Sequence, residues 1–260
     1  MKLELKDVVC GYGPNVIVKQ ASMGVAEGDV LCLLGPNGVG KTTLFKSILG
    51  FLKLLDGEIL LGGKNIAGWS RKLFAREVAY VPQAHNTPFP FKVLDVILMG
   101  RTPYLRPFSA PGKEDRNLVK NIMASLDILA LENKLYTEIS GGEKQLVLIA
   151  RALAQQAKIL VMDEPTSNLD FGNQIKVLNQ IRKLSRENLG IIMTTHFPDH
   201  VFICANKVAI IRDGFLHKIG NPETVVTREN LREVYGVNVS VENISFTSGY
   251  KAKVCVPEVV

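Results

Sequence analysis

Apolar and polar residues alternate over residues 3–9, 16–25 and 57–61, a period of two that turns every second side chain toward a core. These segments predict an antiparallel strand layer in the first third of the chain, with Gly62-Gly63 as a turn. Residues 30–34 break the alternation, because Val-Leu-Cys-Leu-Leu is continuously apolar, as a central parallel strand buried on both faces should be. Residues 42–49 then read as a helix ending before Gly50. After Gln83 the pattern changes. Residues 86–91 and 101–112 are rich in proline and aromatics, and the stretches between and after them have helical spacing, clearest where Leu118, Ile122, Met123 and Leu126 share one face. From Lys158 strand and helix alternate again, with strands at 159–162, 191–194 and 208–211 and a helix over 173–187. The expected class is α/β with a discontinuous core: residues 1–84 with 158–220 forming the core, 85–157 an inserted, mostly helical subdomain, and 221–260 a small C-terminal extension.

Composition narrows the function classes only slightly. With 260 residues and 47% hydrophobic content the chain can bury a large core. A net charge of +6 is spread along the sequence, which fits a solvated surface and gives no support to a nucleic-acid partner. No apolar run approaches the about 18 residues needed to cross a bilayer, so in any transport role the pore is expected to be another chain. The first residues alternate like a strand and lack the apolar centre of a secretion signal, which predicts a cytoplasmic location. Cys10, Cys32, Cys204 and Cys255 are widely spaced and read as free thiols. His196 and His200 are separated by Pro198 and have no third ligand nearby in sequence, which argues against zinc.

The chemistry begins at Gly35-Pro36-Asn37-Gly38-Val39-Gly40-Lys41-Thr42, which fits G-x-x-x-x-G-K-[ST] between an expected strand and helix. Glycines let backbone N–H groups turn toward phosphates, the helix N-terminus adds positive charge, Lys41 neutralises β and γ oxygens, and the Thr42 hydroxyl ligates Mg²⁺. The core is therefore expected to be a P-loop NTPase. Asp163 and Glu164 follow the apolar strand 159–162, and so emerge where sites form in parallel sheets. Asp163 is expected to hold the Mg²⁺ shell and Glu164 to orient and activate the attacking water. Ser140-Gly141-Gly142-Glu143 precedes an apolar run and reads as a capping box. A helix start opened by glycines and a hydroxyl is also an anion site, so the two readings coexist.

Together these residues resemble the ATP-binding subunits of ABC transporters over nearly the whole chain, with every motif in that family's order. By this resemblance Gly35 to Thr43 is the Walker A loop, Gln83 the Q-loop residue, Ile139 to Glu143 the signature, Ile159 to Glu164 Walker B, Ser167 to Asp170 the D-loop and His196 the switch histidine. The resemblance implies ATP and Mg²⁺ as ligands. Its catalytic residues are Lys41, Gln83, Glu164 and His196, and its metal residues are Thr42, Gln83 and Asp163. Tyr12, Gly35, Asn37, Gly38, Gly40, Lys41, Thr42, Thr43, Ser140, Gly141, Gly142 and Asp170 are its nucleotide contacts. Tyr12 matches an adenine-stacking position and is equally suited to packing. Ile139 and Glu143 depart from the commoner Leu and Gln, and Leu146 stands where a polar residue is frequent.

Residues 93–105 and 229–237 resemble the importer branch for iron-siderophore, haem and cobalamin, which molybdate and tungstate importers share. That likeness implies a peripheral ATPase at the cytoplasmic face of the membrane, working as two copies on two permease subunits with an extracytoplasmic binding protein. In such a pair each ATP is held by Lys41, Thr42, Gln83, Asp163 and Glu164 of one copy and by Ser140 and Gly142 of the other, and an isolated copy is expected to hydrolyse poorly. Phe89 and Phe91 are the expected docking surface. The rival readings are ABC-type ATPases of DNA repair, whose long coiled coil is missing here, those of translation, whose second cassette is missing, and exporter ATPases, which lack the branch-specific stretches.

Overall fold

The computed structural model describes residues 1–83, 90–247, 249 and 251–258. Along the chain it places strands β1 (Lys2–Tyr12), β2 (Asn15–Ala26) and β3 (Val30–Leu34), helix α1 (Lys41–Ile48), and strands β4 (Asp56–Leu61) and β5 (Lys64–Asn65). Then come α2 (Arg71–Glu77), β6 (Val78–Val81), α3 (Val93–Leu98), α4 (Lys113–Ser125), α5 (Gly141–Ala154), β7 (Ile159–Met162) and α6 (Phe171–Arg186). The chain closes with β8 (Gly190–Thr195), α7 (Pro198–Cys204), β9 (Lys207–Arg212), β10 (Phe215–Gly220), α8 (Pro222–Val225), α9 (Arg228–Tyr235), β11 (Val239–Ser245) and β12 (Lys251–Pro257). Two compact units share these elements: Met1–Ala67 with Ile181–Val260, and Gly68–Gln180.

In the first unit β1 pairs antiparallel with β2 and with β4, giving the order β2-β1-β4-β5. This is the antiparallel layer that the alternating pattern predicts. β3 lies between β8 and β9, parallel to both, with Leu34 opposite Thr195 and Ile210. All five β3 residues are buried, which explains their unbroken apolar run: neither face meets water. β10 returns antiparallel to β9, and β11 and β12 form a hairpin of their own. The fold is the P-loop NTPase fold of mixed α/β type.

In the second unit β6 and β7 pair in parallel, Val81 opposite Met162. Residues 71–81, undivided by the periodicity, are α2 and β6. A helix of two turns with no fully buried residue leaves no apolar stripe to detect. The predicted helical face on α4 is present but rotated slightly, with Val119 and Met123 buried and Leu118 and Ile122 only half-buried.

A polar lock holds the helices of this unit together. Arg101 is nearly buried, donates from Nε to Asp115 Oδ1 at 2.7 Å and from Nη1 to Ala154 O at 2.8 Å and Gln156 Oε1 at 2.7 Å. Its guanidinium lies 4.1 Å from the Tyr104 ring centroid, and the Tyr104 hydroxyl donates to Gln155 O at 3.0 Å. A buried guanidinium is tolerated only when its donors are met in this way. Gly100 permits the approach, since a Cβ there would collide with the Arg151 carbonyl of α5.

Gly100→Ala is expected to lower unfolding stability by about 2–3 kcal/mol through overpacking, read from the midpoint of urea denaturation. The Arg101 hydrogen bond holds the Asp115 carboxyl below its usual range. A depressed carboxylate pKa contributes stability that is present above the unfolded value and lost as pH falls through the folded one. The stability gap between the parent and Asp115→Asn should therefore be constant from neutral pH down to about 5 and narrow below about 4, checked by denaturation across that range.

Candidate nucleotide-binding and hydrolysis site

The first unit supplies the phosphate loop. β3 ends at Leu34 and α1 begins at Lys41. Gly40, the residue before the helix, has φ 106°, a conformation that favours glycine. No side chain caps the N–H groups of the first turn of α1. Lys41 is buried to 5% exposure, and its ammonium folds back on the loop, donating to Gly35 O at 2.7 Å and Pro36 O at 2.8 Å. A cation on a Gly-rich turn at a helix start is a donor set that suits a phosphate chain. Asn37, Gly38 and Thr42 are exposed, while Gly35 and Thr43 are buried.

Tyr12 lies at the end of β1 with 48% of its surface exposed. Lys46 of α1 donates to its hydroxyl at 3.2 Å and sits 5.8 Å from its ring centroid. The ring is thus anchored at its hydroxyl, with about half of its surface open.

His196 follows β8. Its ring lies 4.1 Å from that of Phe197, which in turn lies 4.8 Å from His200. The two histidines differ in setting. His200 is buried and pairs through Nδ1 with Thr195 Oγ1 at 3.3 Å. Burial above all pushes its pKa down to about 4, with the neighbouring His196 adding to the shift and Asp199 opposing it. His200 is therefore a neutral core residue at physiological pH, whereas His196 is half-buried at the strand end.

The second unit supplies the carboxylates. Asp163 is buried to 8% exposure directly after β7, and its N–H donates to Val81 O at 3.0 Å. Glu164 is half-buried and has φ 45°, an uncommon conformation for a residue with a Cβ. The turn is tied by Ser167, whose N–H and hydroxyl both donate to Glu164 O, at 3.0 and 2.9 Å. Gln83 Nε2 in turn donates to Ser167 Oγ at 2.9 Å. Ser167 therefore links the Gln83 amide to the Glu164 backbone. Only its place at the start of the D-loop pointed to it in sequence, since nothing local marks a serine as a bridge between residues so far apart.

The signature forms the capping box. Ser140 Oγ accepts from Glu143 N–H at 3.3 Å, and Glu143 Oε2 accepts from Ser140 N–H at 2.7 Å. These bonds, the backbone one first, hold the Glu143 carboxyl below its ordinary range. Glutamate in place of glutamine thus keeps the reciprocal cap. Asn173 covers Gly142, where a Cβ would come within 2.6 Å of its Oδ1. Asp170 holds Asn173 through its backbone N–H at 2.9 Å and its amide at 2.6 Å. Asp170 and Ser140 are exposed. Of the expected docking residues, Phe91 is 42% exposed and Phe89 lies outside the described residues.

The sites the sequence expects thus fall into two sets. Tyr12, residues 35–43 and His196 lie in the first unit; Gln83, Ser140, Gly141, Gly142, Asp163, Glu164 and Asp170 lie in the second. Among the described residues no helix is long and apolar enough to cross a membrane.

Comparison with known proteins covers most of the chain. The ABC transporter family profile matches residues 18–167. An uncharacterized ABC transporter ATP-binding protein of Haemophilus influenzae is 42% identical over 90% of this chain and 89% of its own. The molybdate import ATP-binding protein MolC of the same organism is 34% identical, covering 85% and 82%. The hemin import ATP-binding protein HmuV of Thermobifida fusca is 35% identical, covering 88% and 80%. A solved inward-facing ABC transporter assigned to the metal-chelate type superposes with a TM-score of 0.88 at 30% identity, covering 99% of this chain and 97% of that one. The chain belongs to the ABC transporter family and is one of its ATP-binding, ATP-hydrolysing proteins.

Proposed function

We propose that this chain is the ATPase subunit of a binding-protein-dependent importer, driving uptake of a metal chelate such as an iron-siderophore, haem or cobalamin through a separate membrane permease. The observation that carries the reading is its likeness, over nearly the whole chain, to proteins named for hemin import and to a transporter of the metal-chelate type. Similarity to a molybdate import protein supports a second reading, in which the cargo is molybdate or tungstate.

In this reading Lys41 and the start of α1 neutralise the β and γ phosphates. Gly35, Asn37, Gly38, Gly40 and Thr43 shape the loop around them, and Tyr12 stacks on the adenine. Thr42, Gln83 and Asp163 offer oxygen donors, the chemistry that Mg²⁺ takes; the ion would screen the phosphate charge there. Glu164 orients the attacking water and accepts its proton, a role its tied backbone turn suits. His196 contacts the γ-phosphate. Ser140, Gly141 and Gly142 serve the ATP of a second copy, with Asp170 beside them, so two copies close over two nucleotides. Closure drives the permease and hydrolysis resets it. The subunit works at the cytoplasmic face, docked through the surface that includes Phe91.

Glu164→Gln keeps a side chain that can orient water but not one that takes its proton. Turnover should fall by about 10²–10⁴-fold, and a dimer should accumulate with ATP, seen by light scattering on a sizing column. Undiminished turnover overturns the assigned role. Cells lacking the chain should lose uptake of labelled haem or iron chelate and keep molybdate uptake. The reverse pattern establishes the molybdate reading, and loss of neither refutes import of these cargoes.

A further inference from the structure

The C-terminal segment of the first unit meets the run that carries His196 at two points. β8 ends at Thr195, and the chain continues through His196, Phe197 and Pro198 to Asp199 at the start of α7. On the upstream side Thr195 is paired within the sheet and its Oγ1 accepts from Phe197 N–H at 3.1 Å. On the other side Tyr235, the last residue of α9, donates its hydroxyl to the carbonyl of His196 at 3.4 Å. Three residues on, Asp199 Oδ1 accepts from the backbone N–H of Cys255 in β12 at 2.7 Å.

The Tyr235 tether stands on fixed ground. α9 is held to β10 by Lys218 Nζ donating to Asn230 Oδ1 at 2.6 Å and by His217 paired with Glu233 at 3.1 Å. Burial raises the Tyr235 phenol far above its ordinary range, so the hydroxyl stays a donor at any physiological pH. The Asp199 bond is charge-assisted and short, the stronger kind.

We propose that Tyr235 and Asp199 are positioning residues, through which the C-terminal segment clamps the backbone around His196 and presents its imidazole to the terminal phosphate of ATP. This rests on the reading of His196 as a γ-phosphate contact. A residue at the end of a strand, entering a short helix, has torsional freedom that the strand alone does not remove. One bond at its own carbonyl and one three residues later remove it. Small displacements of a reacting group cost large factors in rate while leaving ground-state binding nearly untouched. The clamp therefore acts on kcat, not on nucleotide affinity.

The test measures kcat and KM for ATP, with melting temperature, on the full-length chain carrying His196→Ala, Tyr235→Phe, Asp199→Ala or Asp199→Asn. The expected result is a fall in kcat of about three- to tenfold for Tyr235→Phe and Asp199→Ala, with KM unchanged. Asp199→Asn, whose amide oxygen still accepts from Cys255, should retain turnover. Neither Tyr235→Phe nor Asp199→Ala should lower kcat further in a His196→Ala background. If His196→Ala loses turnover but Tyr235→Phe and Asp199→Ala keep parental kcat, or lose it only in step with melting temperature, the clamp is refuted. If His196→Ala turns over like the parent, the reading of His196 fails, and the clamp fails with it.

Discussion

A lysine ammonium almost removed from water is the constraint around which the phosphate loop is built. Lys41 is 5% exposed, and a buried cation is tolerated only where oxygen atoms surround it. The carbonyls of Gly35 and Pro36 meet that need, which obliges the chain leaving β3 to curl back over the side chain. The same curl brings Gly40 to φ 106° and starts α1 without a side-chain cap. The geometry that stabilises the lysine thus also sets a helix start and a positive charge at one place, and anion binding follows from both. The buried β3 strand, held between β8 and β9, gives this loop a rigid base.

The second unit answers a different demand, that of holding short helices and turns in register with only two strands among its described residues, β6 and β7. Arg101 does this through Asp115, Ala154 and Gln156, and Tyr104 through Gln155. The stretch 93–105, which carries the likeness to one importer branch, is therefore in good part internal architecture. Its Gly, Arg and Tyr serve packing between helices. The Gln83–Ser167–Glu164 chain of hydrogen bonds gives the Gln83 amide a physical line to the backbone of Glu164, the carboxylate proposed to activate water. That turn is itself tightly bent, at φ 45°.

Much of the fold was legible because its signals are local. The alternation in β1, β2 and β4 and the unbroken apolar run of β3 each report how many faces of a strand are buried. The loop at residues 35–42 carries its own chemistry, and Ser140 with Glu143 announces a capping box three residues apart. Where the signal was weak the physical reason is plain. α2 buries nothing fully and so has no stripe to read. His196 and His200 look alike in sequence, yet His200 is a core residue whose burial drives its pKa down to about 4, while His196 is only half-buried.

The amino-acid sequence by itself determined the α/β class, the phosphate loop, the acidic pair after an apolar strand and the capping box of the Ser-Gly-Gly element. Each is a pattern of a few adjacent residues whose backbone and side-chain needs are met within one turn or one strand. Only the tertiary structure decided that Ser167 bridges Gln83 to Glu164, that Asn173 covers Gly142, that Arg101 locks the helices, and that Tyr235 and Cys255 reach the run around His196. These contacts join residues far apart in the chain. They exist because burial leaves polar groups that must find partners, and folding, not sequence adjacency, selects which partners lie within reach.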